Sequence, residues 1–152
     1  AAGTVRSRTG ELHLDATAGI LRIDTARSQA VSGFLAEAGA IRLGDVVITC
    51  DNDYASVAVV SLDDRALARS RRILVQAFTR ERRYGFAEED GTITALGRAP
   101  WNVRAIDARV RLPRAGWDVT VCDAHGYPRR RARLDTATLR LPADALYTVL
   151  ER

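Results

Sequence analysis

Between residues 10 and 29, apolar and polar positions alternate with a period of two. Leu12 and Leu14 alternate with Glu11, His13 and Asp15; after an Ala-Thr-Ala-Gly turn, Leu21 and Ile23 alternate with Arg22 and Asp24. A period of two sends one face of a strand to the core and the other to water, so these twenty residues predict a β-hairpin. The hairpin leaves through Asp24-Thr25-Ala26-Arg27-Ser28-Gln29. Its short polar side chains can hydrogen-bond nearby backbone and bend one strand into the next.

The same grammar continues along the chain. Residues 30–35, 40–43 and 46–49 are short strand candidates. Residues 54–62 (YASVAVVSL) and 71–79 (RRILVQAFT) are apolar on both alternations, which predicts neighbouring central strands covered on both sides. In the second of these, Ile73, Val75 and Ala77 take one face and Leu74 and Phe78 the other, with Asp63-Asp64 as the intervening hairpin turn. From 80 to 100 the alternation loosens, predicting a charged loop with an acidic tip at Glu88-Glu89-Asp90-Gly91 and a short strand at 92–95. Alternation returns at Ile106, Ala108, Val110 and Leu112, and strands are expected at 117–122, 129–134, 137–141 and 145–150. The best helical candidate, 65–70, is too short to stand alone. Many short strands separated by turn signals predict an all-β fold: a single-domain antiparallel β-sandwich, jelly-roll or immunoglobulin-like, monomeric, with about nine to eleven strands.

A chain of 152 residues can bury one core without disulfide staples. Hydrophobic residues at 47% and charged residues at 28% are ordinary for a soluble globular protein, and no apolar run approaches the ~20 residues of a membrane helix, so no membrane partner is expected. The net charge of +4 invites a nucleic-acid reading. Acidic residues interleave with the arginines least at 69–72, 80–83 and 129–133, and such short runs are solvated faces or strand ends, so no nucleic-acid partner is expected either. All 23 basic residues are arginine and no methionine is present, which suggests a segment of a longer protein. Cys50 and Cys122 each end an apolar run; they read as two buried thiols or, in an exported protein, as a disulfide pair.

Candidate chemistry is sparse. The only histidines, His13 and His125, fall on a wet strand face and in a turn, so no nucleophile–base pair is in view and the chain is not expected to be an enzyme. Two histidines and two cysteines this scattered lack zinc spacing. Asp51 and Asp53, in Asp51-Asn52-Asp53, offer oxygen ligands for a structural Ca²⁺ or simply cap a turn. Sugar recognition needs flat aromatic faces with polar neighbours. Trp117 alternates with Val119 and Val121 and belongs to the core. Trp101, beside Arg98 and Asn102 after a proline, and Tyr84, among arginines, are the candidate carbohydrate-binding aromatics.

Three stretches carry a resemblance. Asp24-Thr25-Ala26-Arg27-Ser28-Gln29 with Gly33-Phe34 resembles the "DTPRSQ…GF" stretch in the C-terminal β-sandwich region of large bacterial proteins related to clan-A glycoside hydrolases. Ser61-Leu62-Asp63 and Ser70-Arg71-Arg72-Ile73-Leu74-Val75 resemble the "SLDG…SRRILV" hairpin of the same region, and residues 127–151 resemble its closing strands. Ala26 stands where proline is usual, and Trp101 where an aliphatic residue is. The resemblance implies a non-catalytic ancillary domain of a polysaccharide-degrading enzyme that is extracellular or periplasmic. The partner it implies is a polysaccharide or the catalytic (β/α)₈ barrel of the parent enzyme. It carries no residue-level binding motif.

Overall fold

A computed structural model describes residues 3–152, and fifteen strands account for nearly all of the regular structure. Nine form one sheet, in spatial order β1 (Thr4–Arg6), β2 (Leu12–Asp15), β3 (Ile20–Asp24), β4 (Ser28–Gly33), β7 (Ala55–Ser61), β8 (Arg72–Thr79), β15 (Tyr147–Glu151), β12 (Trp117–Cys122) and β13 (Pro128–Leu134). Four form a second sheet, in order β14 (Thr138–Arg140), β11 (Ala108–Arg111), β6 (Val47–Cys50) and β5 (Ala40–Arg42). The last two, β9 (Glu81–Glu89) and β10 (Thr92–Val103), pair only with each other. Every pairing is antiparallel, and β7 lies beside β8 at the middle of the large sheet, as the sequence predicts. The fold is an all-β antiparallel sandwich.

One core lies between the two main sheets. Val31, Val57, Val59, Ile73, Val75, Trp117, Val119 and Leu150 face it from the large sheet, and Ile41, Ile48, Val110 and Leu139 from the small one. Alternation places them there: on β7 every second residue from Ala55 to Ser61 is buried, and on β8 Ile73, Val75 and Ala77 are.

The polar corner after the first hairpin does what its side chains suggest. Thr25 Oγ1 accepts the Ser28 N–H at 2.9 Å and donates to the Ser28 carbonyl at 3.0 Å, closing the bend between β3 and β4. Gln29, 2% exposed, reaches across to the segment before β6, where its Oε1 accepts the N–H groups of Asp45 (2.9 Å) and Val46 (3.0 Å). A second polar corner joins β7 to β8. The Asp63 carboxylate accepts the Arg71 N–H at 2.7 Å, the Ser70 hydroxyl at 2.7 Å and the Ser61 hydroxyl at 3.0 Å. These bonds, the Arg71 N–H foremost, hold its carboxyl well below the usual carboxylate range. The connection is therefore longer than a two-residue turn and contains a single 3-10 turn, Leu67–Arg69, inside the stretch read as the best helical candidate.

Four expectations are corrected. The doubly apolar strands are not covered on both sides: Phe78 is 42% exposed and Leu74 partly exposed, because among the described residues no element packs on the outer face of the large sheet. Leu12 and Leu14 of the first hairpin join that outer face and are likewise exposed, since β2 and β3 turn their leucines outward and Ile20 inward. Residues 80–100 are not a loop but most of the β9–β10 hairpin, whose polar composition on both faces hides the strand period. The strand count exceeds nine to eleven; β1, three residues long, leaves too little pattern to read, and β9 falls in the stretch expected to be a loop.

The outer-face position makes a prediction. Phe78 keeps an edge-on contact with Tyr147, ring centroids 6.1 Å apart, but no buried pocket. Phe78→Ala is expected to lower stability by about 1–2 kcal/mol rather than the ~3–5 of a buried phenylalanine. A urea denaturation curve checks this; a loss above about 3 kcal/mol would mean the ring is covered in solution.

Candidate functional site

Between β8 and β11 the chain leaves the sandwich as an arm made of β9 and β10. It is closed at the tip by Asp90 and Gly91, both with positive φ (48° and 76°), the left-handed pair that tight hairpin turns require. Gly97 sits where the strands approach most closely, with φ +68°; a Cβ there would lie 2.7 Å from the Tyr84 carbonyl oxygen, so only glycine fits. The register jumps between Arg98 and Trp101, leaving Ala99 and Pro100 without partners on β9. Proline has no N–H to give the ladder, so such a bulge accommodates it.

The bulge decides what meets across the arm. Trp101 stands opposite Arg83, whose guanidinium lies over the indole at 5.2 Å from the ring centroid. Asn102 stands opposite Arg82, and Arg98 opposite Tyr84. Arg82 covers the Phe86 ring at 4.5 Å and pairs with Glu88 at 3.2 Å. Phe86, Leu96, Trp101 and the arginines 80, 82 and 83 line an open groove of about 580 Å³. Trp101 is 55% exposed and Tyr84 56%, while Leu96 reaches 71%. At the foot of the arm, Asp53 bridges Arg104 (2.9 Å) and Arg80 (3.6 Å), tying the arm to the turn before β7.

The four carbohydrate-binding candidates all fall on this arm and all are exposed. They do not form one surface. Arg83 and Tyr84 are consecutive strand residues, so their side chains leave on opposite sides; Trp101 follows Arg83, and Tyr84 with Arg98 takes the other face. Arg83, Arg82, Phe86 and Leu96 are site residues that sequence reasoning missed. The Asp90-Gly91 turn could have revealed the hairpin, but the bulge that sets Arg83 on Trp101 has no sequence signal short of Pro100.

The calcium reading of Asp51 and Asp53 does not fit. Asp51 lies 3.8 Å from an Arg109 guanidinium nitrogen, and Asp53 holds two arginines where a cation would need oxygens. Burial pushes the Asp53 carboxyl up, but the Tyr54 N–H and the two guanidinium groups outweigh it and leave it below the usual range. Asn52 between them is buried and structural: its Nδ2 donates to the Ala105 carbonyl at 2.9 Å and its Oδ1 accepts the Asp107 N–H at 2.8 Å. Among the described residues no group of three or more His, Cys, Asp or Glu side chains gathers as a metal set. Cys50 and Cys122 are buried free thiols rather than a disulfide, one on β6 of the small sheet and the other at the end of β12 in the large one; burial raises both. Among the described residues no helix is long and apolar enough to cross a membrane.

Compared with known proteins, the chain matches no family model, no curated protein and no solved structure.

Proposed function

We propose that the chain is a non-catalytic ancillary domain of an exported polysaccharide-degrading glycoside hydrolase, holding polysaccharide on the β9–β10 arm. The observation that carries the reading is the exposed indole of Trp101, capped by Arg83 on a projecting hairpin. A flat aromatic stacks on the C–H face of a sugar ring, and neighbouring donors meet its hydroxyls. The resemblance of three stretches to the sandwich region of clan-A-like proteins supports the same reading.

A second reading, packing on the catalytic barrel of the parent enzyme, is favoured by the uncovered outer face of the large sheet. Leu12, Leu14, Leu62 and Phe78 are exposed there in a molecule whose other sheet face is well buried. Apolar side chains left bare together on one sheet face support a partner that covers them.

Affinity electrophoresis of the domain through gels containing plant and algal polysaccharides tests the first reading. Trp101→Ala is expected to weaken binding roughly tenfold or more, as loss of an aromatic anchor does, with the melting temperature unchanged because the residue lies outside the core. Binding that survives the substitution intact removes Trp101 from the site. Failure to bind any polysaccharide, with affinity for a separately produced barrel, leaves the packing reading.

A further inference from the structure

We infer that the base of the arm selects carboxylate-bearing polysaccharide over neutral glycan, an inference that rests on the polysaccharide reading above. The charge on the arm is segregated. Five arginines (80, 82, 83, 98 and 104) stand toward its base with Glu81 and Asp53, Glu88 reaches back to Arg82 in the same groove, and Glu89 and Asp90 occupy the far end. Most of the basal charge is already matched: Arg82 by Glu88, and Arg80 and Arg104 by Asp53. Among the described residues, Arg83 and Arg98 have no carboxylate in ion-pair contact. They are also the two that stand opposite the exposed aromatics, Arg83 facing Trp101 and Arg98 facing Tyr84.

Stacking matters to what Arg83 can do. With its guanidinium carbon 5.2 Å from the indole centroid, Arg83 is steadied by the ring through a cation–π contact that occupies none of its N–H donors, which stay free for a ligand. That fork fits a carboxylate with two parallel bonds, which a hydroxyl cannot accept in the same way. A uronic acid residue offers both halves of the match, an apolar ring face for Trp101 and a carboxylate for Arg83. Arg98 stands opposite Tyr84 on the other face, where a second ring could meet an aromatic and a cation without the stacked contact of Arg83 and Trp101.

The acidic tip limits the contact. A polyanion laid along the whole arm would meet Glu88, Glu89 and Asp90, so the favourable contact spans the base alone. This disfavours single-stranded nucleic acid, which is held by a continuous basic track with successive bases stacked on several aromatics. Here each face offers one exposed aromatic near one free cation.

The test is titration of the intact domain with alginate and polygalacturonate beside xylan and galactomannan, at about 50 and 200 mM salt, with an oligothymidylate as a further probe. The acidic polymers are expected to bind and the neutral ones to bind at least about tenfold more weakly, the worth of a charge-assisted fork. Arg83→Gln is expected to lose that preference while leaving thermal unfolding unchanged. Arg83→Lys, which keeps the charge without the fork, should restore only part of it. Neutral polymers binding as tightly as acidic ones overturns the inference and leaves the polysaccharide reading in place. Oligothymidylate binding more tightly than alginate overturns it in favour of nucleic acid. Binding to none of these probes removes both.

Discussion

Replacing Trp117 with alanine is expected to lower the unfolding free energy by about 3–5 kcal/mol, the range for deleting a fully buried large aromatic. Trp117 is 0% exposed at the start of β12, and its ring fills the core where that strand lies between β15 and β13. Its Nε1–H donates to the Arg114 carbonyl at 2.8 Å, anchoring the turn that leads into the strand. The guanidinium groups of Arg152 and Arg114 lie 5.4 and 5.8 Å from the ring centroid, so the ring also organises the C-terminus. A domain of this size is stable by only about 5–15 kcal/mol, so one substitution removes roughly a fifth or more of it. Urea denaturation measures the loss directly, and the melting temperature should fall by roughly 10 °C. A change below about 1.5 kcal/mol would show that the core collapses around the missing ring.

The second large effect belongs to a polar residue. Gln29→Ala is expected to cost about 2–4 kcal/mol, although it removes little apolar surface. The Gln29 Oε1 accepts two backbone N–H groups, and that of Val46 is buried together with its residue. Removing the acceptor leaves donors without partners in a place that water reaches poorly, at about 1–3 kcal/mol for each such group. The effect would also loosen the entry to β6, and with it the small sheet's hold on the large one. Equilibrium unfolding of the variant checks the magnitude; a loss under about 0.5 kcal/mol would mean that water replaces the side chain.

These two residues also show how far the sequence could be read. Trp117 was legible because its alternation with Val119 and Val121 marks a single inward face. The corner that contains Gln29 was legible as a bend, because Thr25 and Ser28 act on neighbours in the chain. The bonds from Gln29 to Asp45 and Val46 were not, since they join segments 16 and 17 residues apart. Phe78 misleads for a different reason: apolar residues on both alternations say that both faces of a strand avoid charge, not that both are covered. The arm reads as a loop in the sequence because Arg82, Arg83, Glu88 and Glu89 place charge on both of its faces, which erases the period of two. Trp101 could be singled out from its position after Pro100, but its partner Arg83 is chosen by a register jump that only the paired strands express.

The isolation of the arm has a consequence for how such a chain can vary over generations. Because β9 and β10 bond only to each other, residues can be exchanged, added or removed between Glu81 and Val103 without disturbing a ladder of the sandwich. The constraint falls on the foot, where the Arg104 N–H bonds the Arg80 carbonyl and Asp53 ties both arginines. Above that clasp, the residues the arm presents can drift rapidly while the body that carries it stays the same.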